Sequence, residues 1–265
     1  MSYTEYIVEN TENSRILFIT DIHNCHLTWY DVKNEDRMNL MLEKIKKENE
    51  KAPFDAILCL GDYSLDFWAW NEGGSYLWNP PVSRTSEFMK KYYPHFPKKA
   101  YMIPGNHEQY SNEDWIKITG FPREFAVVYK NYVFAMLDTF SGNLDPKENH
   151  DGVYTGINTD FLEEILKNHP DKKIILCAHN IYPDMESEKA RELIFEEKRI
   201  LCAFAGHTHL TNTKLWPDNW RNLPVFYCGN FSYYRPDHED TVRWCYVTLD
   251  LSDDKFALDL IEHSK

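Results

Sequence analysis

Five short apolar runs, at residues 15–20, 55–60, 99–104, 172–178 and 199–205, each break off at a polar group able to ligate a metal. The groups are Asp21-Ile22-His23, Gly61-Asp62, Gly105-Asn106-His107-Glu108, His179 and Gly206-His207-Thr208-His209. Runs of this length, rich in Ile, Leu, Phe and Cys, read as buried strands. Helical patterns lie between them. Residues 36–50 carry apolar side chains at 38, 41, 42 and 45, residues 158–168 open on Asn158 as a cap, and residues 187–198 open on Ser187. Strand, helix and strand in alternation give an α/β sheet with crossover connections. In such sheets ligands collect beyond the carboxyl ends of the strands, where all five polar groups fall.

After residue 209 the pattern turns to strands at 211–216, 223–228, 241–249 and 255–261, with another at 132–137. These predict a second sheet packed on the first, with 211–265 supplying mainly second-sheet strands. No Pro/Gly/Ser-rich linker and no internal repeat divides the 265 residues, so a single domain over 1–265 is expected, with an aromatic-rich insertion at 63–98 on the rim of the site. Hydrophobic residues at 43% are enough for a sizeable core and exclude global disorder. A formal charge of −13 argues against a grip on nucleic acid or on anionic membranes, which needs clustered Lys and Arg. The longest apolar runs are far too short to span a bilayer, and residues 1–15 carry no apolar leader segment, so the cytoplasm is the expected compartment. Six cysteines, at 25, 59, 177, 202, 228 and 245, allow a disulfide framework by count. They sit mostly within apolar runs with no CxxC, so buried free thiols are expected.

Asp21 and His23 are two residues apart, as are His207 and His209. In an extended backbone, positions i and i+2 face one side, so each pair can converge on one point. With Asp62, Asn106 and His179 there are seven candidate ligands from five strand ends, all oxygen or imidazole donors. Seven exceed one tetrahedral ion but suit two metals that share a carboxylate, an arrangement that clamps in-line displacement at phosphorus. Two divalent ions outweigh Asp21, Asp62 and a bound hydroxide, which leaves a positive site in an acidic chain for an anionic ester. Mn, Fe or Zn all suit such donors.

The order DxH, GD, GNHE, H and GHxH, from Asp21 to His209 over about 70% of the chain, resembles the calcineurin-like metallophosphoesterases. The resemblance implies a four-layer α/β/β/α sandwich of two mixed β-sheets flanked by helices. It also implies that Asp21, His23 and His209 hold one metal, that Asn106, His179 and His207 hold the other, and that Asp62 bridges. His107 would be the histidine outside the ligand set that steadies the transition state or protonates the leaving oxygen, as its near-neutral pKa suits, and a metal-bridging hydroxide would be the nucleophile. The run Gly61-Asp62-Tyr63-Ser64-Leu65-Asp66 departs from two branches. It lacks the Asp-Arg-Gly with which serine/threonine phosphatases grip phosphate, and Leu65 stands where purple acid phosphatases place a tyrosine. Asp66 is a nearby carboxylate candidate to support His107.

Tyr63, Trp68 and Trp70, just beyond Asp62, are candidates for a wall that stacks a planar leaving group. Asn180 and Tyr182 are candidates on the other side, Arg84 and Arg235 are candidate phosphate clamps, and Cys25 and His26 lie just past the first ligand pair. The expected function is hydrolysis of a small organic or nucleotide-like phosphate mono- or diester. The rivals are a serine/threonine-type protein phosphatase and a catalytically weak scaffold that binds another protein.

Overall fold

The computed structural model describes residues 3–9, 11–25, 32–67, 83–142, 144, 151–232, 244–252 and 256–263. Trp68, Trp70, Arg235 and His26 lie outside these. The described strands form two mixed sheets. The first takes β1 (Glu5–Ile7), β5 (Phe125–Tyr129), β6 (Tyr132–Leu137), β7 (Lys173–Ala178), β8 (Ile200–Ala205), β10 (Pro224–Tyr227) and β9 (Thr213–Leu215), in that spatial order. The second runs β12 (Ala257–His263), β11 (Trp244–Asp250), β2 (Arg15–Ile19), β3 (Ala56–Cys59) and β4 (Ala100–Met102). The five apolar runs thus divide between the sheets, β2, β3 and β4 in one and β7 and β8 in the other. The strands after residue 211 divide as well: β9 and β10 extend the first sheet and β11 and β12 the second. The expectation that they mainly build a second sheet is corrected accordingly. Pairing partners separated by most of the chain, such as β11 beside β2, leave no local mark in a sequence.

The sheets face each other across an apolar core in which Phe18 stacks on Phe204 with ring centroids 4.0 Å apart. Helix α1 (Asn34–Lys51) buries Met38, Met41 and Ile45, at the helical spacing read from the sequence, against the five-stranded sheet. Helices α4 (Thr159–Asn168) and α5 (Glu188–Glu196) cover the far face of the seven-stranded sheet with Phe161, Leu162, Ile165, Ala190 and Ile194. The layers are therefore α/β/β/α. Asn158 caps α4 by accepting from the Phe161 N–H, and Ser187 caps α5 by accepting from the Ala190 N–H. Two further helices, α2 (Arg84–Lys91) and α3 (Asn112–Thr119), were not legible as amphipathic stretches; each is a short helix opened by a serine cap. All six cysteines are free and buried, as expected. No described helix is long and apolar enough to cross a membrane.

Candidate active site

Parallel strands β2, β3 and β4 end side by side, and so do β7 and β8 in the facing sheet. Backbone hydrogen bonds lock the loops beyond them, from Asp21 N to Gly61 O, from Ile22 N to Asp62 O and from Gly206 N to His179 O. Across the sheets, His207 N donates to Asp21 Oδ2 at 2.8 Å. The seven predicted donors meet at this seam. Their convergence does not follow from extended backbone. Asp21, His23, Asp62, His207 and His209 all have positive φ, between 49° and 64°. Left-handed backbone is uncommon outside glycine, although Asp and His adopt it more readily than most residues, and it costs of the order of 1–3 kcal/mol each. Each chain therefore turns sharply at the strand end, and the turn, not the β alternation, aims both members of a pair inward.

Asp62 is central. Its Oδ2 lies 3.4 Å from His23 Nε2 and 3.2 Å from His179 Nε2. On one side Asp21 Oδ1 lies 3.1 Å from His209 Nε2 and 3.8 Å from His23 Nε2. On the other, Asn106 Oδ1 lies 2.8 Å from His179 Nε2 and 3.0 Å from His207 Nδ1. Among the described residues, three sets of side chains could each hold a metal ion: Asp21, His23 and His209; Asp62, His179 and His207; and His23, Asp62 and His107. The donors fit a cation on two further counts. Asp21 Oδ1 is buried and accepts no hydrogen bond, despite the nearness of His209, so a lone pair faces the cluster uncompensated. His179 donates Nδ1–H to Leu60 O at 2.7 Å, which orients Nε2 towards Asp62. Without cations the charges compensate one another. Burial disfavours the charge on both Asp21 and Asp62, yet the surrounding imidazoles hold both carboxyls below the usual range. Burial likewise opposes the charge on His179, but Asp62 overrides it and lifts His179 to about 9. Burial dominates at His23 and His207, each lowered to about 4.

Several supports escaped the sequence reading. Arg37, fully buried on α1, donates to the carbonyls of Ile22, His23 and Phe231, gripping the first ligand loop from behind. Glu108 accepts from the backbone N–H groups of Asp62, Ser64 and Gly105 and so braces two ligand loops. Arg123 ties this loop to the next by donating to Glu108 O, Tyr110 O, Phe140 O and Asp138. Gly206 is needed for close approach: a Cβ there would stand 2.0 Å from Thr20 Oγ1 and 2.6 Å from Asp21 Oδ2. A buried arginine on a helix reads as a surface charge in sequence, which is why Arg37 gave no signal.

A cavity of about 550 Å³ opens over the donors. Its floor includes His23, Asp62, Asn106, His107, His207 and His209; its wall carries Leu65, Phe140, Asp151, Gly152, Tyr154, Tyr182 and Met185. Tyr182 lines the cavity, and its Oη lies 2.8 Å from His207 Nε2. Tyr63 is not on the wall. It is fully buried between Phe88 and Trp115 and donates its hydroxyl to Cys59 O and Ile103 O. Asn180 is buried too, its Oδ1 accepting from Ile181 N. Arg84 pairs with Glu87 at 2.6 Å instead of facing the cavity, and Asp66 accepts from Arg84 N, Thr85 N and the Tyr110 hydroxyl, so it anchors the start of α2 and does not support His107. Cys25 is buried beside the ligand loop and belongs to none of the metal-competent groups formed among the described residues. Phe140 and Tyr154 were missed, though a signal existed. Strand β6 ends at the same sheet edge as β7, so the residues after it belong to the same rim. A short pairing of Phe140 with Tyr154 then brings the stretch after 150 to the cavity.

A two-sheet sandwich that pools imidazole, carboxylate and amide donors at its strand ends is the build of a metal-dependent phosphoesterase. Residues 14–210 match the calcineurin-like phosphoesterases, and the chain belongs to that family. Its fold is similar to that of a dimetal phosphatase from Danio rerio, at 11% identity and a TM-score of 0.64, covering 93% of this chain and 95% of that one. It is also similar to a purple acid phosphatase from yellow lupin (Lupinus luteus) seeds, at 12% identity and a TM-score of 0.54, covering 94% of this chain and 51% of that one. No curated protein sequence matches the chain.

Proposed function

We propose that the chain hydrolyses a small organic or nucleotide-like phosphate ester with two divalent cations. Asp21, His23 and His209 hold one, Asn106, His179 and His207 the other, and Asp62 is shared. The observation that carries this reading is that one oxygen, Asp62 Oδ2, lies within 3.4 Å of an imidazole from each set. Mn, Fe or Zn suit these donors and, when bound, supply Lewis acidity and a water deprotonated near neutral pH. The chain's own part is to fix the geometry and to handle a proton. His107, 8% exposed on the cavity floor with Nε2 3.6 Å from Asp62 Oδ2, stands where it can protonate a leaving oxygen or balance charge on the phosphoryl group. Phe140, Tyr154, Tyr182 and Met185 offer an apolar wall to the leaving group.

The net charge of −13 and the absence of Lys and Arg from the described cavity lining support a small-molecule ester over nucleic acid, and over the phosphoprotein of the rival reading. The six free thiols support a reducing compartment, the cytoplasm. The deciding experiment supplies Mn²⁺ to the metal-free protein and screens bis-p-nitrophenyl phosphate, p-nitrophenyl phosphate, nucleotide esters and a phosphopeptide, with bound metal measured by plasma emission. Two bound ions with turnover of small esters are expected. Faster turnover of the phosphopeptide would favour the protein phosphatase, and two bound ions with no turnover of any ester would favour the scaffold.

A further inference from the structure

Tyr182 stands where the cavity wall meets the donor cluster. Its Oη is 2.8 Å from His207 Nε2, while Nδ1 of the same ring is 3.0 Å from Asn106 Oδ1. The imidazole thus spans two environments, one nitrogen among the groups that would hold a cation and the other on the phenol. The Asn106 amide is oriented from outside: its Nδ2 donates to Asp151 O at 3.1 Å, which turns Oδ1 towards His179 and His207.

An amide oxygen only accepts. With no cation present, Nδ1 of His207 therefore carries the ring proton and Nε2 accepts from the Tyr182 hydroxyl. With a cation on Nδ1, the ring proton must sit on Nε2, and the same hydroxyl oxygen then accepts a hydrogen bond from Nε2–H. A carboxylate or carbonyl at this place could serve only the second arrangement and an ammonium only the first. A phenol serves both without moving its oxygen.

The tyrosine is held for this task. Its backbone N–H donates to Tyr154 Oη at 3.0 Å, Tyr154 Oη donates to the Glu186 carboxylate, and Ile157 N–H donates to Glu186 Oε2 at 3.0 Å. The rings of Tyr154 and Tyr182 meet edge to face at 4.8 Å. Pro183 follows directly and opens a single 3₁₀ turn over Pro183–Met185, which fixes the chain on the other side.

We propose that Tyr182 is the positioning residue of His207: its hydroxyl matches either placement of the ring proton and so lets Nδ1 take and keep a cation. The inference rests on the metal-binding reading above. Once the hydroxyl accepts Nε2–H, its own proton is left for an acceptor in the cavity, such as a phosphoryl or ester oxygen.

Tyr182→Phe keeps the ring and removes the hydroxyl. Calorimetric titration of the metal-free full-length chain with Mn²⁺ alone should show two sites in the wild type. In the variant one site should weaken about 10- to 100-fold, with the other within about twofold. In the Zn²⁺-loaded wild type labelled with ¹⁵N-histidine, the His207 Nε2–H should exchange slowly with water, and in the variant it should exchange fast. Equal affinities at both sites in the two proteins, or a rapidly exchanging Nε2–H in the wild type, would overturn the proposal. Should the variant fail to fold, the wild-type exchange measurement decides alone. A wild type that binds two Mn²⁺ ions and behaves as described yet cleaves no ester upholds the role of Tyr182 and refutes the hydrolase reading. A wild type that binds no Mn²⁺ refutes both.

Discussion

Gly105→Ala isolates the geometry on which the shared carboxylate depends. A Cβ at residue 105 would lie 2.1 Å from Asp62 Oδ1, 2.6 Å from Asp62 N and 2.8 Å from Asp62 Cγ. Ordinary contact begins near 3.4 Å, so the carboxylate must retreat by about 1.3 Å. It has nowhere to go without loss. Oδ1 accepts from His107 N at 3.1 Å, Asp62 N is tied to Glu108 at 2.8 Å, and Oδ2 faces His23 and His179. Overpacking of this kind costs about 1–3 kcal/mol of stability, and a displacement of about 1 Å in a reacting constellation costs on the order of 10²-fold in rate. The expected variant is folded, melts at lower temperature, binds both cations more weakly and loses at least about 10²-fold in kcat/KM on bis-p-nitrophenyl phosphate. Urea unfolding, Mn²⁺ titration and steady-state kinetics measure the three effects. A variant that keeps wild-type affinity at both sites and hydrolyses within about threefold of the wild type would show that Asp62 is not the shared ligand.

Other outcomes follow from the same geometry. His107→Ala should retain two cations and lower kcat by roughly 10²–10⁴-fold; loss of a cation would instead make His107 a ligand, as the His23, Asp62 and His107 grouping allows. Arg37→Met removes a fully buried guanidinium from three backbone carbonyls and should cost about 3–5 kcal/mol in urea unfolding, with weaker cation binding because the His23 loop loosens; a loss below about 1 kcal/mol would contradict that grip. Glu124, which is not among the donors, is pushed up by burial from 4.5 to about 7. Its raised value gives a stability contribution that is fully present below pH 4.5 and is lost as pH rises through 7, on the order of 3 kcal/mol in all. Glu124→Gln should flatten the stability profile across that window, and an unchanged slope would remove Glu124 as its source.

The candidate metal site was legible because each of its seven ligands sits at the end of a strand, and a strand's apolar run announces its own end. Asp21, Asp62, Asn106, His179 and His207 could be read in that way without knowing which strands are neighbours. The cavity wall could not. Phe140 and Tyr154 reach it through a pairing between loops, and Tyr63 looked like a wall residue only because it follows Asp62. Its hydroxyl finds two carbonyls inside the core, a satisfaction that depends on strands β3 and β4 being adjacent.

The sequence by itself determined ten of the twelve described strands (all but β1 and β5), the principal helices, the donor chemistry and the order of the motifs, because hydrophobic periodicity and residue type are local properties. Only the tertiary structure decided that the ligand strands belong to two sheets, that left-handed turns aim the paired residues, and that Arg37 and Glu108 hold the ligand loops from behind. Those features arise from contacts between segments distant in the chain, where burial and hydrogen-bond satisfaction choose the partner and no short stretch of residues records the choice.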